Sequence, residues 1–127
     1  MVGVYFAQSH AKRPLFSWLL GGPGGLERPT IVIGDFNTGL HHVDEAGATF
    51  HCASEFGRLA QAGWVDAWRL VHGDVREFSW YSTAGNGFRI DHAFVTPDLA
   101  SQVVGAAYDH STRKGLTDHS GLTIDLC

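Results

Sequence analysis

The chain has 127 residues, 9 Lys and Arg against 13 Asp and Glu, 44% hydrophobic residues and 17% charged ones. That balance fits one domain with an ordinary supply of core-forming side chains, and it excludes intrinsic disorder, collagen-like repeats and a disulfide scaffold. The net charge of -4 excludes a surface that clings to nucleic acid over its whole extent, while leaving room for a local basic strip. No apolar run approaches the roughly 20 residues needed to cross a bilayer, and the N-terminus lacks the order of a signal peptide, so the expectation is a cytoplasmic protein with no membrane partner. Cys52 and Cys127 lie far apart, outside any CxxC spacing, and are expected to be free thiols.

In chain order, Val2 to Phe6 is short, apolar and rich in β-formers, which predicts a strand. Ser9 can cap a helix carrying Leu15, Trp18 and Leu19 on one face, with Pro14 in its first turn and the run Gly21-Gly22-Pro23-Gly24-Gly25 as its end. Thr30 to Ile33, bounded by Pro29 and Gly34, predicts a strand covered on both faces. Phe56, Leu59, Ala60 and Gly63 space as a short amphipathic helix over 53–62, while Trp64 to Trp68 fits no single element. Phe78 to Tyr81 and Phe88 to Val95 flank Ser82-Thr83-Ala84-Gly85-Asn86-Gly87 as an antiparallel pair. A short helix over 96–103 and strands at Val104 to Tyr108 and Leu122 to Leu126 complete a mixed α/β pattern.

Gly34-Asp35-Phe36-Asn37 sets a carboxylate and a carboxamide two positions apart, hence on one side of an extended chain. Such a pair can orient a water and hold a phosphate oxygen, although the same residue types also make ordinary turns. Thr117-Asp118-His119-Ser120 offers a hard oxygen ligand beside an imidazole that can donate to a phosphate. Asp91 is a carboxylate in an apolar strand, costly unless paired, so it either orients a basic group such as His119 or makes a structural ion pair. Lys12-Arg13 and Arg113-Lys114, with Arg89 and Arg76, can gather into a strip or stay scattered. Eight histidines point toward metal or phosphate chemistry, and His41-His42-Val43-Asp44-Glu45 offers ligands in a loop that solvation explains equally well. Of Trp64, Trp68 and Trp80, two are expected in the core and the remaining one is free to stack on a base.

Taken in order and at these separations, Gly34-Asp35-Phe36-Asn37, Glu77-Phe78-Ser79-Trp80-Tyr81, Arg89-Ile90-Asp91-His92 and Thr117-Asp118-His119-Ser120 resemble the endonuclease/exonuclease/phosphatase superfamily, in its exonuclease III branch. The resemblance runs from Val4 to Leu126, with Val4-Tyr5-Phe6 similar to the strand that carries an active-site tyrosine. It implies an α/β fold, part of a sandwich of two β-sheets flanked by helices, and metal-dependent phosphodiester hydrolysis with magnesium or manganese. By the same resemblance Asp35 activates the attacking water, Asn37 helps hold it and the phosphate, His119 contacts a non-bridging oxygen, and Asp91 fixes the His119 tautomer. Asp118, Asp35 and Asn37 then hold the metal, Tyr5 lies near the phosphate or leaving group, and Trp80 lies near the nucleotide. Family members carry a further N-terminal half, with an Asn and a metal-ligating Glu, that no residue upstream of Val4 supplies, so a half-sandwich is expected.

Three functions follow. The first is a DNA nuclease, with Trp80, Arg89, Arg113 and Lys114 on the substrate and Lys12 and Arg13 in the basic strip. The second is a half-domain that has lost catalysis and is completed by a partner or by a second copy. The third is a histidine-based metal-binding protein. An open sheet face is expected to drive formation of a homodimer or larger assembly.

Overall fold

A computed structural model of the chain describes residues 1–22, 28–47 and 50–127. In chain order its elements are β1 (Val2–Tyr5), α1 (Arg13–Leu20), β2 (Ile31–Asp35), α2 (Ala53–Gly57), β3 (Val65–Asp66), α3 (Ala67–His72), β4 (Trp80–Tyr81), β5 (Gly87–Phe88), β6 (Asp91–Val95), α4 (Pro97–Ala100), β7 (Val103–Asp109) and β8 (Gly121–Leu126). Short 3-10 turns stand at Ser9–Lys12 and His110–Arg113. β1 and β2 are parallel, an arrangement that needs a crossover such as the one containing α1, and β6 runs antiparallel to both β2 and β3, giving the order β1-β2-β6-β3. β4 with β5, and β7 with β8, form two-stranded sheets.

Alternation sorts the central strands into two faces. Val32, opposite Phe94, turns toward the helical layer, where Phe6, Phe16, Leu19, Phe36, Phe56 and Leu59 close a core. Ile31, Ile33, Ala93 and Val95 belong to the other face and pack with Leu122, Ile124 and Ala67. The fold is therefore mixed α/β, with α1 and α2 on one side of the main sheet and the β7–β8 sheet, accompanied by α3 and α4, on the other. Gly34 permits the β1–β2 pairing just before Asp35: its φ is 149°, and a Cβ there would stand 1.9 Å from the Val4 carbonyl oxygen.

Several elements differ from the sequence-based expectation. Ser9 does not cap α1 but opens the 3-10 turn at a φ of 58°. Pro14, which has no N–H to lose in a first turn, marks the start of the helix instead. The buried face carries Phe16 and Leu19, because Phe16 packs edge-on against Phe6 at 5.1 Å, and Leu15 and Trp18 face outward. α2 ends at Gly57, although Leu59 remains buried in the turns that follow. The stretch at Trp64 to Trp68 divides into β3 and α3 because Asp66 ends the strand and caps the helix, accepting the N–H groups of Trp68 and Arg69 at 3.1 Å. The single strand expected over Phe88 to Val95 is broken at Arg89 and Ile90, whose backbones bond Asp44 and Phe36, so β5 and β6 join different sheets. Of the glycine-rich turn, positions from Pro23 onward lie outside the described residues. No helix among the described residues is long and apolar enough to cross a membrane. Both cysteines are free thiols.

Candidate active site

The register of the main sheet aligns Tyr5, Asp35 and Asp91 in one row across β1, β2 and β6. Directly paired residues point to the same face, so the two carboxylates end the row that begins with the core residues Ile31 and Val95. His119, in the segment leading into β8, reaches this row and places Nδ1 2.8 Å from Asp91 Oδ2. A carboxylate can only accept, so Nδ1–H is the donor and Nε2 is left for another partner. Ligand-capable atoms of Asp35, Asp91 and His119 all lie within 4.8 Å of one another.

Asn37 holds Asp35 in place. Its backbone N–H donates to Oδ1 at 2.7 Å, and its side-chain amide donates to Oδ2 at 3.2 Å and to the Phe6 carbonyl at 2.8 Å. Its own φ of 49° is left-handed, a conformation that Asn tolerates better than most residues. Burial and the facing Asp91 charge raise the pKa of Asp35, while the Asn37 N–H, His119 and Lys12 pull the other way. For His119, burial opposes the charge, but the hydrogen bond and charge of Asp91 outweigh it and raise the pKa. The Trp80 indole N–H, 3.0 Å from Asp118 Oδ2, holds the pKa of that exposed carboxylate down.

These groups open on one cleft of about 410 Å³, lined by Tyr5, Asp35, Asn37, Trp80, Asp118 and His119 together with Gln8 and Ile90. Asp91 sits behind His119. The structure thus brings Tyr5, Asp35, Asn37, Trp80, Asp91, Asp118 and His119 to one place, from segments at opposite ends of the chain. Trp64 and Trp68 are buried, at 3% and 0% exposure, and only Trp80 of the three faces the cleft.

Two expected substrate contacts are corrected. Arg89 has no exposed surface: its guanidinium lies between Asp44, 2.8 Å from Nε, and Asp66, 2.5 Å from Nη2, and over the Trp68 ring. Carboxylates buried with it keep it charged and unavailable to DNA, so it is a structural ion. Lys12, placed in the basic strip, is 1% exposed and donates from Nζ to the Asn37 carbonyl. Burial lowers its pKa, and it braces the Asn37 turn from behind. Arg113 and Lys114 follow β7 and line none of the cleft; the Arg113 guanidinium lies 4.7 Å from the Tyr81 ring centroid, and Lys114 is exposed. In the His41 to Glu45 stretch, Asp44 is claimed by Arg89 and Arg69, while the His42 side chain is 94% exposed.

The sequence reading missed Gln8 and Ile90 in the cleft wall, and Ser79 beneath it. The Ser79 hydroxyl accepts the N–H groups of Ile90 and Asp91 at 3.1 and 3.2 Å, and its carbonyl accepts the Ser120 N–H at 2.8 Å, tying Asp91 to the segment that bears His119. Only the position of Ser79, between Phe78 and Trp80, hinted at a role.

No family model matches the chain. In sequence it is similar to exodeoxyribonucleases of Streptococcus pneumoniae, 28% identical over 67% of this chain and 40% of theirs, and of Bacillus subtilis, 29% identical over 64% and 38%. In fold it is similar to the 3′ phosphatase NExo from Neisseria bound to a product DNA hairpin, with a TM-score of 0.83 and 23% identity over 98% of this chain and 60% of that one. An AP endonuclease from Archaeoglobus fulgidus gives a TM-score of 0.80 at 21% identity over the same shares. The chain spans about 40% of the length of the curated relatives and 60% of those solved structures. It carries the exonuclease III-like fold of these solved structures, and its sequence is similar to that of the bacterial exodeoxyribonucleases.

Proposed function

We propose that the chain is a divalent-metal-dependent phosphodiester hydrolase acting on DNA. The observation that carries this reading is the convergence of Asp35, Asp91 and His119 within 4.8 Å at the cleft. The donor set fits a hard cation. Two carboxylates from adjacent strands face each other, and the pKa of Asp35 is raised partly by that confrontation. Magnesium or manganese suits oxygen donors of this kind, with water completing the shell. Asp35, Asn37 and Asp118 would hold the ion beside Asp91, and once bound it would offset charge growing on the phosphate oxygens.

The chain's own groups divide the remaining work. Asp35, gripped by Asn37, accepts the proton of the attacking water. His119, its Nδ1 proton held by Asp91, presents Nε2 to a non-bridging oxygen. Tyr5, 72% exposed at the rim, lies where a phosphate or leaving group passes, and Trp80 offers a face to the nucleotide. Arg113 and Lys114 remain the candidate backbone contacts. No covalent nucleophile is required.

Self-association belongs to the same proposal. Val2 on the outer strand β1, and Val104 and Leu126 on the β7–β8 sheet, are 39%, 62% and 42% exposed, apolar positions open to a second copy. Light scattering at micromolar concentration tests this, and a monomer that binds no apolar dye contradicts it. For the activity, end-labelled duplex DNA and a chromogenic phosphodiester are incubated with the purified chain, with magnesium, manganese or chelator. Metal-dependent cleavage of DNA is expected, and the absence of cleavage with either metal overturns the reading. Cleavage of the small diester alone, without a response to salt, replaces DNA by a small-molecule substrate.

A further inference from the structure

The eight histidines of the sequence are only partly used by the cleft. Away from the cleft, where the Ser9–Lys12 turn approaches the start of α2, one thiol and two imidazoles stand near one another, although among the described residues only Asp35, Asp91 and His119 have ligand atoms all within 4.8 Å as placed. Cys52 Sγ lies 3.8 Å from His10 Nδ1, and the rings of His10 and His51 pack edge-on with centroids 4.8 Å apart. Cys52 itself is buried, at a left-handed φ of 64°.

We propose that His10, His51 and Cys52 form a second metal site that takes a zinc-class cation. One thiolate and two imidazoles are the donor types such a cation selects, in contrast to the carboxylates that converge in the cleft. Metal–sulfur and metal–nitrogen bonds of about 2.3 and 2.0 Å at a tetrahedral angle put the two donor atoms roughly 3.5 Å apart. The observed 3.8 Å is within a few tenths of that. His51 is exposed, so its ring can turn to supply the third donor without disturbing the core. Binding breaks the S–H bond of Cys52, forms the metal–sulfur bond and releases one proton to solvent, with no change of oxidation state. Water completes the shell.

The location gives the site a consequence. His10 and Cys52 line a cavity of about 580 Å³. His51 lines a neighbouring one of about 340 Å³, which shares Gln8, Asn37, Trp80 and Ile90 with the catalytic cleft. An ion here would pin the Ser9–Lys12 turn to α2 at the far end of the groove that leads into the cleft. The inference does not depend on the nuclease reading.

Cobalt(II), a spectroscopic substitute for zinc, tests it on the reduced full chain. The expected result is a near-ultraviolet sulfur-to-cobalt charge-transfer band with visible bands of tetrahedral type, bleached by zinc. Cys52→Ser abolishes the charge-transfer band, and His10→Ala and His51→Ala each weaken cobalt binding by more than about tenfold, since even outer-shell partners of a ligand cost that much. His10 is exposed, so its variant keeps the test valid should Cys52→Ser fold poorly. Cys127→Ser and the double variant Asp91→Asn with His119→Gln leave the band intact. A wild-type chain that shows no thiolate–cobalt band overturns the site. So does a band that survives Cys52→Ser, one that is unaffected by both histidine changes, or one that is lost in Cys127→Ser.

Discussion

Two pairs of aspartates meet opposite fates in this fold. Asp44 and Asp66 close on the buried guanidinium of Arg89, with Arg69 also on Asp44, so every charge there has a fixed counterion. Asp35 and Asp91 stand opposite each other on adjacent strands with His119 as their near partner, and Lys12 acts on Asp35 only at a distance. The difference shows in the proton equilibria. Burial works against Asp44, but Arg89 holds its pKa below the ordinary value of 3.8, whereas burial and Asp91 push Asp35 above that value. A cluster that supplies its own cations has no charge left to offer another, and one left short of cations is ready to take one from solution.

Breaking the neutralised cluster has the largest expected effect. Arg89→Met leaves the half-buried Asp66 without its counterion and the buried Asp44 with Arg69 alone, and should cost about 3 kcal/mol of stability, read by urea denaturation. A change under about 1 kcal/mol would show that the ions are solvated after all. The same region makes the fold sensitive to acid. His92 is fully buried, and burial, followed by the Arg89 charge, lowers its pKa from 6.5 to about 4. A lowered folded-state pKa means that the contribution is whole above pH 6.5 and is lost as pH falls toward 4, with Asp44 adding a further loss below 3.8. Asp35 carries the opposite sign: its raised pKa favours the fold below 3.8, and that part is lost as pH rises through its folded-state value. Denaturation midpoints of wild type and Asp35→Asn across this range, without metal, separate the two signs.

In the cation-poor cluster the effects fall on activity. Asp35→Asn should lower cleavage by about 10²- to 10⁴-fold, the usual share of a general base, while leaving the metal-free unfolding midpoint unchanged or higher. His119→Ala should cost about 10²- to 10³-fold. Asp91→Asn, which only orients the ring, should cost less, about 10- to 100-fold. Equal losses in steady-state assays would remove the orienting role from Asp91. The smallest change belongs to the surface. With Lys12 and Arg89 buried, about two phosphates remain to be neutralised, so log affinity for DNA should fall with log salt at a slope near -2. Reversing Arg113 and Lys114 to Glu should flatten that slope further without favouring any sequence.

The same contrast explains what the sequence could reveal. Asp35, Asn37, Asp91 and His119 were legible because each sits in a short motif and the motifs, taken in order, resemble those of one superfamily, whereas any one of them alone also fits an ordinary turn or a structural ion pair. The strands β1, β2, β7 and β8 were legible for a local reason, their short runs of β-formers. The roles of Arg89 and Lys12 were not, because a buried charge is decided by partners distant in the chain: Arg89 meets Asp44 across 45 positions, and Lys12 meets Asn37 across 25. Gln8 carries no motif, Ile90 enters its motif only as an apolar neighbour of Asp91, and both become cleft residues only when the sheet and the Trp80 strand assemble. The exposed face of α1 was misjudged because Phe6, not any residue of the helix, selects Phe16 as the inward side chain.

Paramagnetic broadening by manganese in amide-resolved NMR spectra bears most directly on the claim that the two aspartate clusters differ in their appetite for a cation, because manganese prefers oxygen donors and reports its own position. At substoichiometric manganese, signals around Asp35, Asp91 and His119 should broaden first, those around Asp44 and Asp66 should stay sharp, and Asp35→Asn should restore the broadened set. Broadening centred on Asp44 and Asp66, or an unchanged pattern in Asp35→Asn, would contradict the account.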